Sequence, residues 1–212
     1  GIGQGMVSVS PLQMAVATSV LANGGYVVKP YVVKEVQYDG ASPVVTVPQR
    51  ERVDWLRESD VQAVKAGMRR VVTDGGGRFY ANIPDIAVAG KTGTAQNPHG
   101  RDHGWFVSFA PADDPEIVVA VLMENAGFGS ISAAPVAALM IEQYLTGTIE
   151  RERVLEYVMN FDAAEIEARR VQRELEAAEA REASGAGAAS GNTETSETSG
   201  TGDHIQGEGG TL

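Results

Sequence analysis

Three β-type segments in the middle of the chain constrain its fold more than any other feature. They cover residues 86–95, 104–110 and 116–124, and their valine, isoleucine and aromatic residues favour strands. The connecting loops are short enough for an antiparallel meander, and residues 111–115, with a proline at each end, are typical of a turn. We therefore predict that consecutive strands pair in one antiparallel sheet.

Helical patterns flank these segments on both sides. The first predicted helix begins with a capping box between Ser10 and Gln13 and has Pro11 in its first turn. The three predicted helices cover residues 11–22, 59–74 and 133–145. Between the first two, short strands are predicted over 26–29 and 31–38, followed by turns over 39–50. This order predicts an α/β fold of the α+β type, with a mainly antiparallel sheet flanked by helices.

Composition divides the chain into three parts. Residues 1–147 hold the apolar patterns of a compact domain. Residues 148–183 are predicted to form a charged and mostly solvated helical extension, with supporting pairs such as Arg170 and Glu174. Residues 184–212 are rich in Gly, Ser and Thr, and they are too polar to offset the entropy of ordering by burial. We expect this tail to be disordered.

Charge and residue content exclude several classes of function. A formal net charge of -11 disfavours binding to nucleic acid, and the absence of cysteine excludes a disulfide framework or a thiolate metal site. The Gly-Ile-Gly-Gln-Gly start lacks the preceding strand and the spacing of a dinucleotide loop. His99, Asp102 and His103 could ligate zinc, but their loop offers no fixed geometry, and a structural or substrate-rim role is simpler. No cofactor or metal site is predicted.

The second half of the strand predicted over residues 86–95 contains an unusual polar sequence, Lys91, Thr92, Gly93 and Thr94. An ordinary half-buried strand would have an apolar residue at every second position here. Successive side chains of a strand point to opposite faces of the sheet, so Lys91 and Gly93 lie on one face and the two threonines on the other. All four residues can therefore contact one ligand only if it binds along the edge of the strand. There, the N–H of Thr94 can donate to a developing oxyanion, the hydroxyls can bind a carboxylate, and Lys91 can supply positive potential and a proton. These roles belong to acyl transfer, although the tetrapeptide alone is too common to establish them. On the next strand, Phe106 and Phe109 are predicted to pack in the core or on a sheet face. The same is predicted for Trp105, with a role lining the cleft as the alternative.

The sequence resembles the transpeptidase domain of class B penicillin-binding proteins, whose third active-site motif is Lys-Thr-Gly followed by Thr. Residues 91–94 match that motif residue for residue, and the segments 3–5, 10–13 and 22–25 match the family in order and spacing. Residues 97–100, 105–106 and 124–129 are most similar to the penicillin-binding protein 2 group, the elongation enzymes. The resemblance covers residues 1–145.

Two family motifs are not found where the resemblance requires them. No serine has a lysine three residues later, so the nucleophile of the Ser-x-x-Lys motif is expected upstream of Gly1. Ser-x-Asn occurs only at residues 190–192, after the Lys-Thr-Gly motif and within the tail, and this match is accidental. We therefore interpret the chain as the C-terminal part of a transpeptidase domain, inactive alone.

The resemblance implies a serine-type peptidoglycan D,D-transpeptidase in which Lys91 and Thr94 are catalytic and Thr92, Gly93 and Thr94 bind substrate. Stem peptides ending in D-Ala-D-Ala would form an acyl-enzyme that an amine then resolves, and β-lactams would acylate the same serine. The family also implies a glycan-polymerising membrane partner and a place on the periplasmic side of the cytoplasmic membrane, anchored by an upstream segment. Two alternatives remain: a serine β-lactamase or D,D-carboxypeptidase using the same strand, and a non-catalytic binding module that docks through its charged extension.

Overall fold

The computed structural model describes residues 4, 5 and 7–189, with side chains described as far as residue 181. Its elements in chain order are α1 (Pro11–Ala22), β1 (Tyr26–Val28), β2 (Glu35–Val36), β3 (Val44–Val45), β4 (Arg50–Arg52), α2 (Glu58–Thr73), β5 (Ala89–Ala95), β6 (His103–Ala110), β7 (Ile117–Met123), α3 (Ala133–Thr146), α4 (Glu152–Met159) and α5 (Ala163–Ala189).

The predicted meander is confirmed by a sheet in the order β5-β6-β7, with both pairs antiparallel. Gly93 pairs with Trp105, which in turn pairs with Leu122. Within the described residues β5 lies at one edge of this sheet and β7 at the other. The strand that carries the Lys-Thr-Gly-Thr sequence therefore has one side that β6 does not cover.

Helices cover both faces of the sheet, which confirms the α+β fold. On one face Phe106 packs with Val72 of α2 and with an alanine-rich side of α3 that includes Ala134 and Ala137. On the other, Phe109 packs with Met68 of α2, and Ala22 of α1 joins this cluster. Phe106 and Phe109 are fully buried, as the sequence predicted. Because side chains alternate along β6, the two rings separate the core into two layers.

The sequence signals that mark the start of α1 and the end of α3 are confirmed by the structure. In α1 the Ser10 hydroxyl accepts the Gln13 N–H at 3.2 Å, and the Gln13 side chain accepts the Ser10 N–H at 2.8 Å. The last turn of α3 ends at Gly147, whose φ of 78° is in the left-handed region that favours glycine. Both helices occupy the predicted residues to within one position.

The prediction for residues 26–52 was wrong in part. The strand expected over 31–38 is reduced to Glu35–Val36, and the expected turn region contains β3 and the start of β4. Two short hairpins result, in which β1 pairs with β4 and β2 pairs with β3. Val32 is fully exposed and Val44 is 60% exposed, so these arms bury too little apolar surface to impose an alternating pattern on the sequence.

The described part of the C-terminal extension is helical, and its residues are exposed or half-buried. It consists of α4 and α5, and the first compact unit runs to Glu167, past the expected boundary at Gly147. A second unit begins at Ala168, and within it Arg170 and Glu174 form the predicted ion pair at 3.8 Å. Residues 184–189 of the predicted disordered tail are the end of α5, and residues 190–212 lie outside the described residues. No helix in the described part of the chain is both long and apolar enough to span a bilayer.

Candidate active site

All four residues of the Lys-Thr-Gly-Thr sequence lie in the middle of the edge strand β5. The start of this strand is held by α2, because the Arg69 guanidinium donates to the Val88 carbonyl at 2.9 Å. Beyond that contact, β5 pairs within the described residues only with β6. Lys91 is exposed and residues 92–95 are half-buried, so this edge is partly accessible to a ligand. The four predicted site residues therefore lie along one edge strand, and their catalytic and binding roles stay predictions.

A groove of about 540 Å³ runs along this edge. Its floor is formed by residues 91–95 together with Trp105 and Val107 of β6. The opposite wall comes from the segment before α1, including Val7, Ser8 and Val9, and from Met14. A strand edge with backbone amides, hydroxyls and one amine on one side and apolar side chains on the other suits an extended peptide.

Trp105 lines this groove, which was the alternative rather than the main expectation from the sequence. It is half-buried and lines the groove, whereas its neighbour Phe106 is fully buried on the other face of the sheet. A Cβ added at Gly93 would lie 3.1 Å from the Cβ of Trp105, so glycine at this position leaves room for the indole and for close approach to the backbone. The feature that indicates a groove here is the pairing of Gly93 with the large Trp105 side chain on the neighbouring strand. This pairing can be recognised only when the strand register is known.

The Lys91 side chain is exposed at the junction of two grooves. Its Nζ donates to the Thr92 carbonyl at 2.6 Å. Lys91 also borders a second, apolar groove of about 550 Å³ that α1 and α2 line with side chains such as Leu21, Val64 and Val71. The amine therefore borders both grooves, and its hydrogen bond to the Thr92 carbonyl is exposed to solvent.

Thr92 faces two loops on the other side of β5. A Cβ added at Gly76, in the loop after α2, would lie 3.7 Å from the Thr92 hydroxyl and 3.9 Å from the Cβ of Ser130. Ser130 belongs to the turn before α3. These two loops support the strand beside Thr92, which also lines the groove.

The loop after β5 is fixed by a polar network. The Gln96 N–H donates to the Gln4 side chain at 3.0 Å, which ties the N-terminal segment to the end of the strand. Asn97 donates to the Asn125 side chain at 2.7 Å, and the Asn125 N–H donates to Nδ1 of His103 at 3.0 Å. His103 therefore acts as a hydrogen-bond acceptor, and among the described residues no group of three or more His, Asp or Glu is placed to hold a metal ion.

Comparisons with known proteins agree with this geometry. The family model described as the penicillin binding protein transpeptidase domain matches residues 1–142. The peptidoglycan D,D-transpeptidase MrdA of Haemophilus influenzae is 37% identical over 162 residues, which cover 68% of this chain and 25% of that protein. The peptidoglycan D,D-transpeptidase PbpA of Mycobacterium tuberculosis is 34% identical over 160 residues, which cover 69% of this chain and 31% of that protein.

Solved structures show the same likeness. The imipenem acyl-enzyme complex of penicillin-binding protein A from M. tuberculosis has a TM-score of 0.59 and 32% identity, over 68% of this chain and 33% of that chain. Penicillin-binding protein PBP2 of Pseudomonas aeruginosa in complex with WCK 5153 has a TM-score of 0.57 and 37% identity, over 71% of this chain and 33% of that chain. The chain spans about a quarter to a third of the length of these relatives.

Proposed function

Because the chain belongs to the penicillin-binding protein transpeptidase family, we propose that it forms one wall of the active site of a peptidoglycan D,D-transpeptidase. The observation that carries this proposal is the position of residues 91–94 on the partly accessible edge of β5, along a groove. The nucleophilic serine of the Ser-x-x-Lys motif comes from another part of the full-length protein. The resemblance of residues 97–100, 105–106 and 124–129 to the penicillin-binding protein 2 group adds a role in cell elongation to the proposal.

Each residue of the strand has a distinct role in the proposed reaction. The serine oxygen attacks the carbonyl carbon of the penultimate D-Ala, and the N–H of Thr94 donates to the oxyanion that develops there. The C–N bond to the terminal D-Ala then breaks, and that D-Ala leaves with a proton on its amine. The hydroxyls of Thr92 and Thr94 bind its carboxylate, and the accessible amine of Lys91 supplies positive potential beside it.

The second half of the reaction transfers the acyl group. An amine on a neighbouring stem peptide attacks the ester, the new amide bond forms, and the serine oxygen regains its proton. Gly93 lets the substrate backbone approach the strand, and Trp105 forms the floor of the groove beneath it. β-Lactams acylate the same serine in this proposal; imipenem and ceftriaxone form acyl-enzyme complexes with penicillin-binding protein A from M. tuberculosis.

The setting of the full-length protein is part of the proposal. Its substrates are peptidoglycan stem peptides, and the domain works on the periplasmic side of the cytoplasmic membrane, anchored by a segment upstream of this chain. A glycan-polymerising membrane protein supplies the strands that it cross-links. Similarity to the MrdA enzymes, which are named peptidoglycan D,D-transpeptidases, supports the substrate, whereas the location, anchor and partner are proposed from the family resemblance alone.

The test uses the full-length protein with a fluorescent penicillin and, separately, with a D-Ala-D-Ala pentapeptide and an amine acceptor. We expect a covalent adduct by intact mass spectrometry and a cross-linked product by chromatography. An adduct with only hydrolysed pentapeptide would instead identify a carboxypeptidase, and rapid turnover of the penicillin would identify a β-lactamase. Neither an adduct nor any product would leave the non-catalytic binding module as the correct interpretation.

A further inference from the structure

Helix α4 touches both loops that support the active-site strand beside Thr92. It follows α3 and belongs to the first compact unit. Its Tyr157 ring stacks on Tyr80, with centroids 4.9 Å apart and planes 22° from parallel, and Phe161 packs edge-on against it. Tyr80 lies in the loop after α2, the same loop whose Gly76 faces Thr92. One side of Thr92 is thereby linked to α4.

The other link passes through the turn before α3. The Tyr157 hydroxyl donates to the Ile131 carbonyl at 2.9 Å. Two residues before Ile131, Gly129 packs directly on the strands: an added Cβ would overlap the Trp105 carbonyl and lie 2.5 Å from the carbonyl oxygen of Gly93. Movement of this turn must therefore move the backbone of the active-site strand or open a gap beneath it.

Arg151, just before α4, completes the attachment. Its Nε donates to the Glu142 carboxylate of α3 at 2.9 Å, and its Nη1 donates to the Tyr80 carbonyl at 2.6 Å. The Glu142 side chain is only 5% exposed. The loop that holds Tyr80 is thus bonded to α3 through Arg151 and to α4 through the Tyr157 ring.

We propose that Tyr157 is a positioning residue for the Lys-Thr-Gly strand, and that α4 locks together the two loops that support Thr92 and Gly93. This inference rests on the proposed function of that strand. Neither Tyr157 nor Arg151 lines the groove along residues 91–95, so both act through the loops. Oxyanion stabilisation depends on donors fixed before the reaction, and small displacements of a donor cost rate more than they cost binding.

The Tyr157 hydroxyl keeps its proton and so can donate its hydrogen bond at every physiological pH. Burial raises the pKa of its hydroxyl above the ordinary value of 10.0, and neighbouring Tyr80 raises it further. The hydroxyl therefore stays protonated at physiological pH and remains a donor to the Ile131 carbonyl. A phenylalanine at this position would keep the ring and its stack on Tyr80 but would leave that carbonyl without the donor.

The test compares Tyr157→Phe with wild type in the full-length protein. Stopped-flow measurements with a fluorescent penicillin separate the dissociation constant of the non-covalent complex from the acylation rate constant. We expect the acylation rate constant to fall roughly three- to thirtyfold while the dissociation constant changes by less than about twofold. Hydrogen exchange of the amides at residues 91–95 should become faster. Tyr144→Phe is the matched control, because Tyr144 is an exposed tyrosine of α3, and it should behave as wild type.

A second variant guards against a folding defect. Arg151→Lys keeps a positive charge beside Glu142 but loses the guanidinium group that donates to both Glu142 and the Tyr80 carbonyl. Like Tyr157→Phe, it should lower the acylation rate constant. An acylation rate constant within twofold of wild type in Tyr157→Phe, or an equal loss in Tyr144→Phe, would overturn the inference. If the wild-type protein is not acylated, the proposed function fails, whereas unchanged exchange at residues 91–95 in Tyr157→Phe refutes the positioning role separately.

Discussion

Replacing Glu142 by alanine tests how firmly α4 is held on the domain. One carboxylate oxygen accepts from Arg151 at 2.9 Å and the other accepts the Glu150 N–H at 2.9 Å. Removing one partner of a buried ion pair costs about 3–5 kcal/mol, because the remaining charge loses its partner without regaining water. Arg151 is only 16% exposed, and its buried Nη2 has no hydrogen-bond partner within the described residues, so little solvent can replace the carboxylate. We expect the free energy of unfolding to fall by about 3 kcal/mol or more.

Urea denaturation of the 212-residue chain, followed by circular dichroism, measures this change. The control is Asp60→Ala, which breaks the solvent-exposed pair between Arg57 and Asp60 at 2.8 Å and should cost less than about 1 kcal/mol. Arg151→Ala and the double variant complete a cycle, in which the two single losses should not add. If Glu142→Ala cost no more than Asp60→Ala, the pair would contribute nothing and the attachment of α4 would be wrong.

Three further predictions concern two glycines, the Tyr157 hydroxyl and the Ser-x-x-Lys motif. Gly129→Ala should destabilise the chain and disturb the site, because its Cβ would overlap the Trp105 carbonyl. Gly67→Ala lies within α2, and the new Cβ would meet no atom within 4 Å beyond its chain neighbours and the backbone of its own helix, so it should instead raise stability by roughly 0.5–1 kcal/mol; melting curves of both variants check this. The raised pKa of Tyr157 means that its contribution to stability is complete below pH 10.0 and is lost as the pH rises beyond it; denaturation curves above pH 10.0 should fall more steeply for wild type than for Tyr157→Phe, and parallel curves would contradict this. The 212-residue chain by itself should form no penicillin adduct in intact mass spectrometry, since it contains no Ser-x-x-Lys sequence, and a stable adduct would refute that reasoning.

The sheet and its helices could be predicted because their local signals coincide with burial. Ser10, Gln13 and Gly147 mark helix ends through hydrogen bonds and backbone conformation that a short window contains. The candidate site at residues 91–94 was also selected from a local signal, since a lysine, two hydroxyls and a glycine are out of place in a core strand; its position on an edge strand was predicted, and its role stays a prediction. A short stretch of sequence was therefore enough to recognise these features.

Other features depend on contacts between distant residues. The attachment of α4 joins Tyr157 to Tyr80 and Ile131, and a charged segment gives no local sign of such partners. Trp105 could be assigned to the groove only from the register that sets it opposite Gly93. The hairpins of residues 26–52 bury little surface, so periodicity could not define them.

The most direct test of the proposed site is Lys91→Ala in the full-length protein, with Lys34→Ala as the matched control on another exposed lysine. Acylation by a fluorescent β-lactam and a melting curve are measured together for both variants. Because the exposed Lys91 contributes little to the core but acts on charge that develops in the transition state, its loss should lower the acylation rate by about 10²–10³ while the melting temperature stays near that of wild type. Lys34→Ala should change neither quantity. An acylation rate within about threefold of wild type in Lys91→Ala, a difference under roughly 1 kcal/mol, would contradict the assignment of this strand as the active-site edge.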